Sequence, residues 1–234
     1  MYKGLLIILD GLGDRPNSAL NGQTPLQAAH TPTMDSLLAA GSCGLVDPLA
    51  AGFPVDTHTG SAALMGIRPR DLLSLARGPV EAAGIGVHMS PGDVLLRANF
   101  ATLQDDGKTI IDRRAGRITQ GTAELAQMLR DVDLGEGINA AVFPATHHRA
   151  VVHLRGKDLS PDISNTDPGS MHLGACLLLS HALEPTNEKA LRTARALNTL
   201  SHKAFERLKD HPMNQTLKLP ANALLTRGAG MAFA

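Results

Sequence analysis

The sequence predicts an α/β fold, on three observations. Gly4-Leu5-Leu6-Ile7-Ile8-Leu9 is short, unbroken and apolar, and it stops at Asp10-Gly11-Leu12-Gly13-Asp14. Such a run reads as a strand buried on both faces, as in a parallel sheet. Between residues 93 and 154, strand-like segments flank one helical pattern, which suggests a compact α+β module. From Asn187 to Asp210, Leu191, Ala194, Leu197, Leu200 or Ser201, Ala204 and Leu208 are spaced for one apolar helical stripe.

Composition narrows the function classes. The chain has 234 residues, enough for one large domain or two small ones. Aromatics make up 3%, with no Trp and one Tyr, which argues against a base-stacking platform for nucleic acid. The 22 Lys and Arg balance 22 Asp and Glu, so no global field favours nucleic acid or an anionic membrane. An anion site must therefore be local. Cys43 and Cys176 lie far apart and outside metal-ligand spacing, which suits reduced thiols in a cytosol. The apolar runs are too short for a signal peptide or a span, so a cytoplasmic protein is expected.

The remaining elements follow in order. Pro16 to Gln23 is turn-rich and reads as a surface loop. Thr24-Pro25 and Thr31-Pro32 each place a capping Thr before a Pro at the first helical position; Gly41 closes the second helix. Gly44 to Pro48 reads as a short strand. The hydroxyl-rich loop Phe53 to Ser61 runs into a short helix, Ala62 to Gly66. From Pro69, Gly, Pro and Arg cluster, which suggests a domain boundary or crossover. Asp93 to Leu103 alternates as a strand open on one face, and Asp105-Asp106-Gly107-Lys108 turns it into Thr109-Ile110-Ile111. Thr122 to Val132 reads as a helix, 140–143 and 150–154 as strands, and 158–170 as a loop.

Three constellations could carry chemistry. Asp10 at a strand end and Thr57 just ahead of a helix start are what a metal-activated hydroxyl nucleophile needs. The helix N-terminus would favour a phosphate or oxyanion; alternatively Thr57 or Thr59 is simply an N-cap. Second, Asp112-Arg113-Arg114-Ala115-Gly116-Arg117 crowds its arginines, and Arg77 and Arg149 stand in comparable loops. Clustered guanidinium groups suit bidentate recognition of carboxylate and phosphate. Third, His147-His148 beside Arg149 could ligate metal, exchange protons or clamp a substrate.

Several stretches together resemble the archaeal-type, cofactor-independent phosphoglycerate mutases of the alkaline phosphatase superfamily. They are residues 8–16, 24–29 and 31–35, Arg77-Gly78-Pro79, Asn99-Phe100-Ala101-Thr102, residues 112–117, His148-Arg149, Asp167-Pro168, His211-Pro212-Met213-Asn214, Pro220-Ala221-Asn222 and Arg227-Gly228-Ala229-Gly230. The resemblance implies part of a phosphatase-like core over 1–68, an inserted α+β cap over 69–222 and a return segment over 223–234. It implies phosphoryl transfer between 3- and 2-phosphoglycerate, a step of glycolysis and gluconeogenesis, through a phosphoenzyme. Two divalent metals are implied, Mn or Mg and possibly Zn. Asp10 matches the N-terminal metal ligand, and Thr57 falls at the phosphorylated position, where it would also touch metal. Arg77, Asp112, Arg113, Arg114, Arg117, His147 or His148, and Arg149 fall on the substrate-binding cap.

The sequence departs from the pattern twice. Around Thr57, His58 and Ser61 stand where the family has Asp and His, so Thr59 and Ser61 compete for the nucleophile's place. The sequence also reaches Ala234 before the segment that supplies most of the family's metal ligands. Read this way, the chain looks truncated before a C-terminal half, or is completed by a second polypeptide, or binds without catalysis. A homo-oligomer or complementing chain is expected to cover the first strand. The expected ligand is a small phosphorylated carboxylic acid, or another phosphorylated or phosphono acid, with no nucleic acid or membrane partner.

Overall fold

The computed structural model describes residues 4–9, 11–53, 55–72, 75–169 and 176–231. Two compact units divide the chain, Met1–Asp47 and Pro48–Ala234. In the first, helix α1 (Pro25–Ala28) starts with a complete capping box. Thr24 Oγ1 accepts from Gln27 N at 3.2 Å, and Thr24 N donates to Gln27 Oε1 at 2.9 Å. Helix α2 (Pro32–Ala40) begins as expected, but Thr31 caps no backbone N–H; its hydroxyl donates to Asp35 Oδ1 instead.

Two expected strands of this unit do not form among the described residues. Residues 4–9 join no ladder there, and Leu5 is 85% exposed. Gly44 to Asp47 is likewise unpaired and exposed. A strand buried on both faces needs hydrogen-bonded neighbours and a layer on each side. Among the described residues of this unit, the β-pairing is the isolated Asn17–Gln23 bridge, which supplies neither.

The second unit opens with three helices, α3 (Thr57–Leu64), α4 (Pro69–Leu72) and α5 (Arg77–Gly84). Its sheet holds β1 (Val94–Leu103), β2 (Ile110–Asp112), β3 (Val132–Asp133), β4 (Asn139–Pro144), β5 (Arg149–Arg155) and β6 (Ala223–Met231). The order is β2-β1-β5-β4-β3, with β6 antiparallel to β1. The stretch read as a return segment therefore contributes a sheet strand over 223–231. Helix α6 (Thr122–Gln127) ends sooner than its composition suggests, and β3 takes up Val132.

Burial follows the alternation of β1. Val94, Leu96, Ala98 and Phe100 point into the main core with Leu125 and Leu129 and with α7 (Glu188–Leu208). The α7 stripe is the expected one, and Asn187 caps it by accepting from Ala190 N. Leu95, Arg97 and Asn99 face the other side. There β1 departs from the expectation of one open face: all ten of its residues are buried. Helix α5 covers that second face, and its approach is very close. A Cβ on Gly78 would lie 2.0 Å from the Leu95 carbonyl oxygen, and one on Gly228, at φ +64°, would lie 2.6 Å from Arg77 Cβ. Only glycine lets α5 sit that deep.

Two amides close the second unit. Asn214, in α8 (Pro212–Thr216), donates to Leu208 O and accepts from Ala221 N. Asn222 then accepts from Leu103 N at 2.8 Å and donates to Leu103 O at 3.0 Å, fixing the start of β6 against β1. No helix among the described residues is long and apolar enough to cross a membrane. Cys43 and Cys176 are both free thiols.

Candidate anion-binding site

The site grows from register. Arg97 on β1 lies opposite Arg227 on β6, and Asn99 lies opposite Arg149 on β5. Helix α5 brings Arg77, its first residue, onto the same face through the Gly78 and Gly228 contacts. Arg97 is 8% exposed, a degree of burial that is rare for a guanidinium. Its Nε lies 3.4 Å from Glu81 Oε1 but makes no hydrogen bond. Burial, and next the charge of Arg77, pull its pKa down to about 10, against the raising effect of Glu81. Burial and Arg227 likewise lower Arg77, with Asp56 and Glu81 opposing.

His148 completes the pocket. Burial and the charges of Arg114, Arg149 and Arg97 lower its pKa to about 4, so the imidazole is neutral at physiological pH. Four buried polar atoms here have no hydrogen-bond partner among the described residues: Arg77 Nε, Arg97 Nε, Asn99 Oδ1 and His148 Nδ1. Native proteins rarely leave such groups unpaired. Arg77 Nε and Arg97 Nε are donors that an oxyanion would satisfy while answering the positive charge, and Asn99 Oδ1 calls for a donor such as a hydroxyl.

The structure sorts the expected residues. Arg77, Arg149 and His148 come together, with Arg114 close enough to act on His148. Arg113 points elsewhere: its Nε and Nη2 donate to Asp167 Oδ1 and Oδ2, both at 2.7 Å, in a buried bidentate pair. Burial opposes the Asp167 charge, but the Arg113 hydrogen bonds prevail and hold that carboxyl below the usual range. Arg227 Nη1 lies 3.8 Å from the same carboxylate. Asp112 caps its own turn, accepting from Arg114 N and Gly116 N. Arg117 and His147 are exposed, at φ +59° and +56°. His147 is among the neighbours that lower the His148 pKa.

The hydroxyl loop adjoins this pocket. Asp56, not Thr57, is the N-cap position of α3, which begins at Thr57 rather than at the expected Ala62. Arg77 Nη1 lies 3.9 Å from Asp56 Oδ1. Thr59 Oγ1 is spent on Asp56 O at 2.9 Å, whereas Thr57 is exposed at the first helical turn, with no side-chain hydrogen bond among the described residues. His58 Nε2 contacts Leu75 O at 3.2 Å. Asp10 lies outside the described residues. Among those described, no three His, Cys, Asp or Glu side chains converge on a metal position.

Arg97 and Glu81 are not singled out by sequence reasoning, and Asn99 and Arg227 stand out only within the stretches that carry the resemblance, with no site role given to them. The one signal for Arg97 is a polar residue alternating inside an apolar strand, which solvent exposure explains equally well.

A two-sided α/β unit with an arginine cluster on one sheet face, Arg97 buried within it, is the class these features define. The sequence model of "2,3-bisphosphoglycerate-independent phosphoglycerate mutase" matches residues 39–214, and the chain belongs to that family. It is 43% identical over 233 residues to the 2,3-bisphosphoglycerate-independent phosphoglycerate mutase of Methanocorpusculum labreanum, spanning 97% of this chain and 56% of that protein. The mutase 1 of Archaeoglobus fulgidus is 42% identical over 236 residues, spanning 97% of this chain and 55% of its own length. Among solved structures, the cofactor-independent phosphoglycerate mutase from Thermoplasma acidophilum superposes with a TM-score of 0.62 at 37% identity, over 96% of this chain and 59% of that one. The chain thus spans about half the length of the curated relatives it matches.

Proposed function

We propose that this chain supplies the substrate grip and the phosphoryl-accepting loop of a phosphoglycerate mutase. The observation that carries the reading is the arginine pocket of Arg77, Arg97, Arg149 and Arg227, tied through Asp56 to the loop that bears Thr57. A phosphoglycerate carries a carboxylate and a phosphate on a three-carbon frame, so it matches a pocket with several guanidinium groups and few carboxylates. Arg97 and Arg149 hold the acid, with Asn99 Oδ1 accepting from a substrate hydroxyl. The Thr57 oxygen attacks phosphorus; the phosphorus–oxygen bond to glycerate breaks as the threonine–phosphorus bond forms. The glycerate keeps its place on the arginines and takes the phosphoryl group back on its other hydroxyl. Neutral His148 takes or returns the hydroxyl proton. Arg113 acts at a distance, by fixing Asp167 beside Arg227.

In this reading residues 1–68 belong to a phosphatase-like core and the following residues to the cap. The exposed run Leu5–Leu9 is then a pairing edge for strands from a second copy or a complementing chain. A second reading, a phospho-ligand binding module without catalysis, is favoured by one observation: Thr57 is exposed, and no described side chain hydrogen-bonds its hydroxyl. Phosphopeptide mass spectrometry after incubation with 3-phosphoglycerate and manganese separates the two. Acid-stable phosphate on Thr57, lost in Thr57→Ala, supports the mutase reading; phosphate on Thr59 or Ser61, or none, opposes it.

A further inference from the structure

A second basic cleft lies on the same sheet face, at the other end of β1 and β5. Val151 pairs with Arg97 and His153 with Leu95, so His153 stands four residues along the strand from Arg149, about 13 Å away. Between the two ends, Leu95, Val151, Ala82 and Val87 form a buried apolar plug. Beyond it opens a cleft of about 460 Å³, between the turn that follows α5 and the side chains of Arg130, Phe143, His153 and Arg155.

Charge in this cleft is unbalanced. Arg130, Arg155 and His88 line it, and Asp93 is the one carboxylate among its described lining residues. Asp93 is already engaged: its Oδ2 lies 2.7 Å from His153 Nε2 and accepts from Ser90 N at 2.8 Å. Neither Arg130 nor Arg155 has an ion-pair or side-chain hydrogen-bond partner among the described residues. Arg130 instead lies over the Phe143 ring, 4.2 Å from its centroid, a cation–π contact that holds the guanidinium while leaving its N–H fork unused.

We propose that this cleft binds a small phosphate-type oxyanion, as the phosphoryl group of a metabolite-sized ester, at a site separate from the Arg97 pocket. Arg130 and Arg155 supply the forked donors, and Phe143 pre-orients Arg130, so little side-chain entropy is lost on binding. Asp93 Oδ2 is taken up by His153 Nε2 and Ser90 N and pairs with neither arginine, which leaves both forks to the anion. None of these residues serves in the mutase reading, so the two can fail independently.

The test is a titration of inorganic phosphate into the full chain, followed by amide chemical shifts. Saturable shifts at Gly86, Val87, His88 and Arg155, weakened at least tenfold by Arg130→Gln with Arg155→Gln, support the site. Absence of saturable shifts at those amides, or shifts that survive the double substitution unchanged, overturns it. Both arginines are exposed, so the double variant should keep a dispersed spectrum; if it does not, Arg155→Glu alone is titrated in its place, with weakened shifts supporting the site and unchanged shifts overturning it.

Discussion

Arg77 Nη1 lies 3.9 Å from Asp56 Oδ1, which joins the first residue of α5 to the residue that precedes Thr57. Arg77 thus belongs to two structures, the arginine pocket and the hydroxyl loop. Arg77→Gln should weaken 3-phosphoglycerate binding by roughly tenfold or more, the scale of one charge-assisted hydrogen bond. Calorimetric titration checks this, and an unchanged affinity would remove Arg77 from the site.

Gly78 sets how deeply α5 seats. Its missing Cβ would meet Leu95 O at 2.0 Å, a backbone atom that cannot step aside cheaply. Gly78→Ala should destabilise the chain by about 3 kcal/mol, the upper range of overpacking costs, and should also weaken ligand binding by displacing Arg77. Denaturant unfolding and calorimetry on the same variant measure the two effects.

The Arg113–Asp167 pair predicts an asymmetry. Asp167→Asn leaves a buried guanidinium without its counter-charge and should cost about 3–5 kcal/mol. Replacing both, Arg113→Met with Asp167→Leu, should cost much less. Thermal unfolding of the three proteins tests it; equal losses would mean the pair is not a unit.

His148 gives a pH dependence with a definite sign. Its pKa falls from 6.5 to about 4 on folding, because burial and neighbouring arginines disfavour the imidazolium. The unfolded chain therefore binds more protons between those values, and stability falls as pH drops from about 6.5 to about 4. The contribution of His148 is complete above that window and gone below it. His148→Gln should flatten this part of the stability profile. An anion in the pocket opposes the arginine field, so ligand binding near pH 5 should take up protons, measurable in buffers of different ionisation enthalpy.

Legibility in the sequence follows how local the cause is. The Thr24 cap and the α7 stripe depend on residues a turn or two apart, and they fold as read. The amides Asn214 and Asn222 stand out as motif residues, but their job of clamping α8 and β6 spans up to 119 residues and needs coordinates. The run Leu5–Leu9 carries a strand pattern without described neighbours to pair with. Register decides the rest. Nothing in Val94 to Leu103 announces that Arg97 and Asn99 meet Arg227 and Arg149 under a helix rather than face water. The role of Arg113 escapes sequence reading for the same reason, since its partner Asp167 is 54 residues away.

Arg97 is buried, on this reading, to hold an anionic substrate. Calorimetric titration of 3-phosphoglycerate into the wild-type chain and into Arg97→Gln puts that to the test. Saturable one-to-one binding, weaker at higher salt, should fall at least tenfold in Arg97→Gln, with the variant still folded. Equal affinity in the two proteins, with both folded, would contradict it.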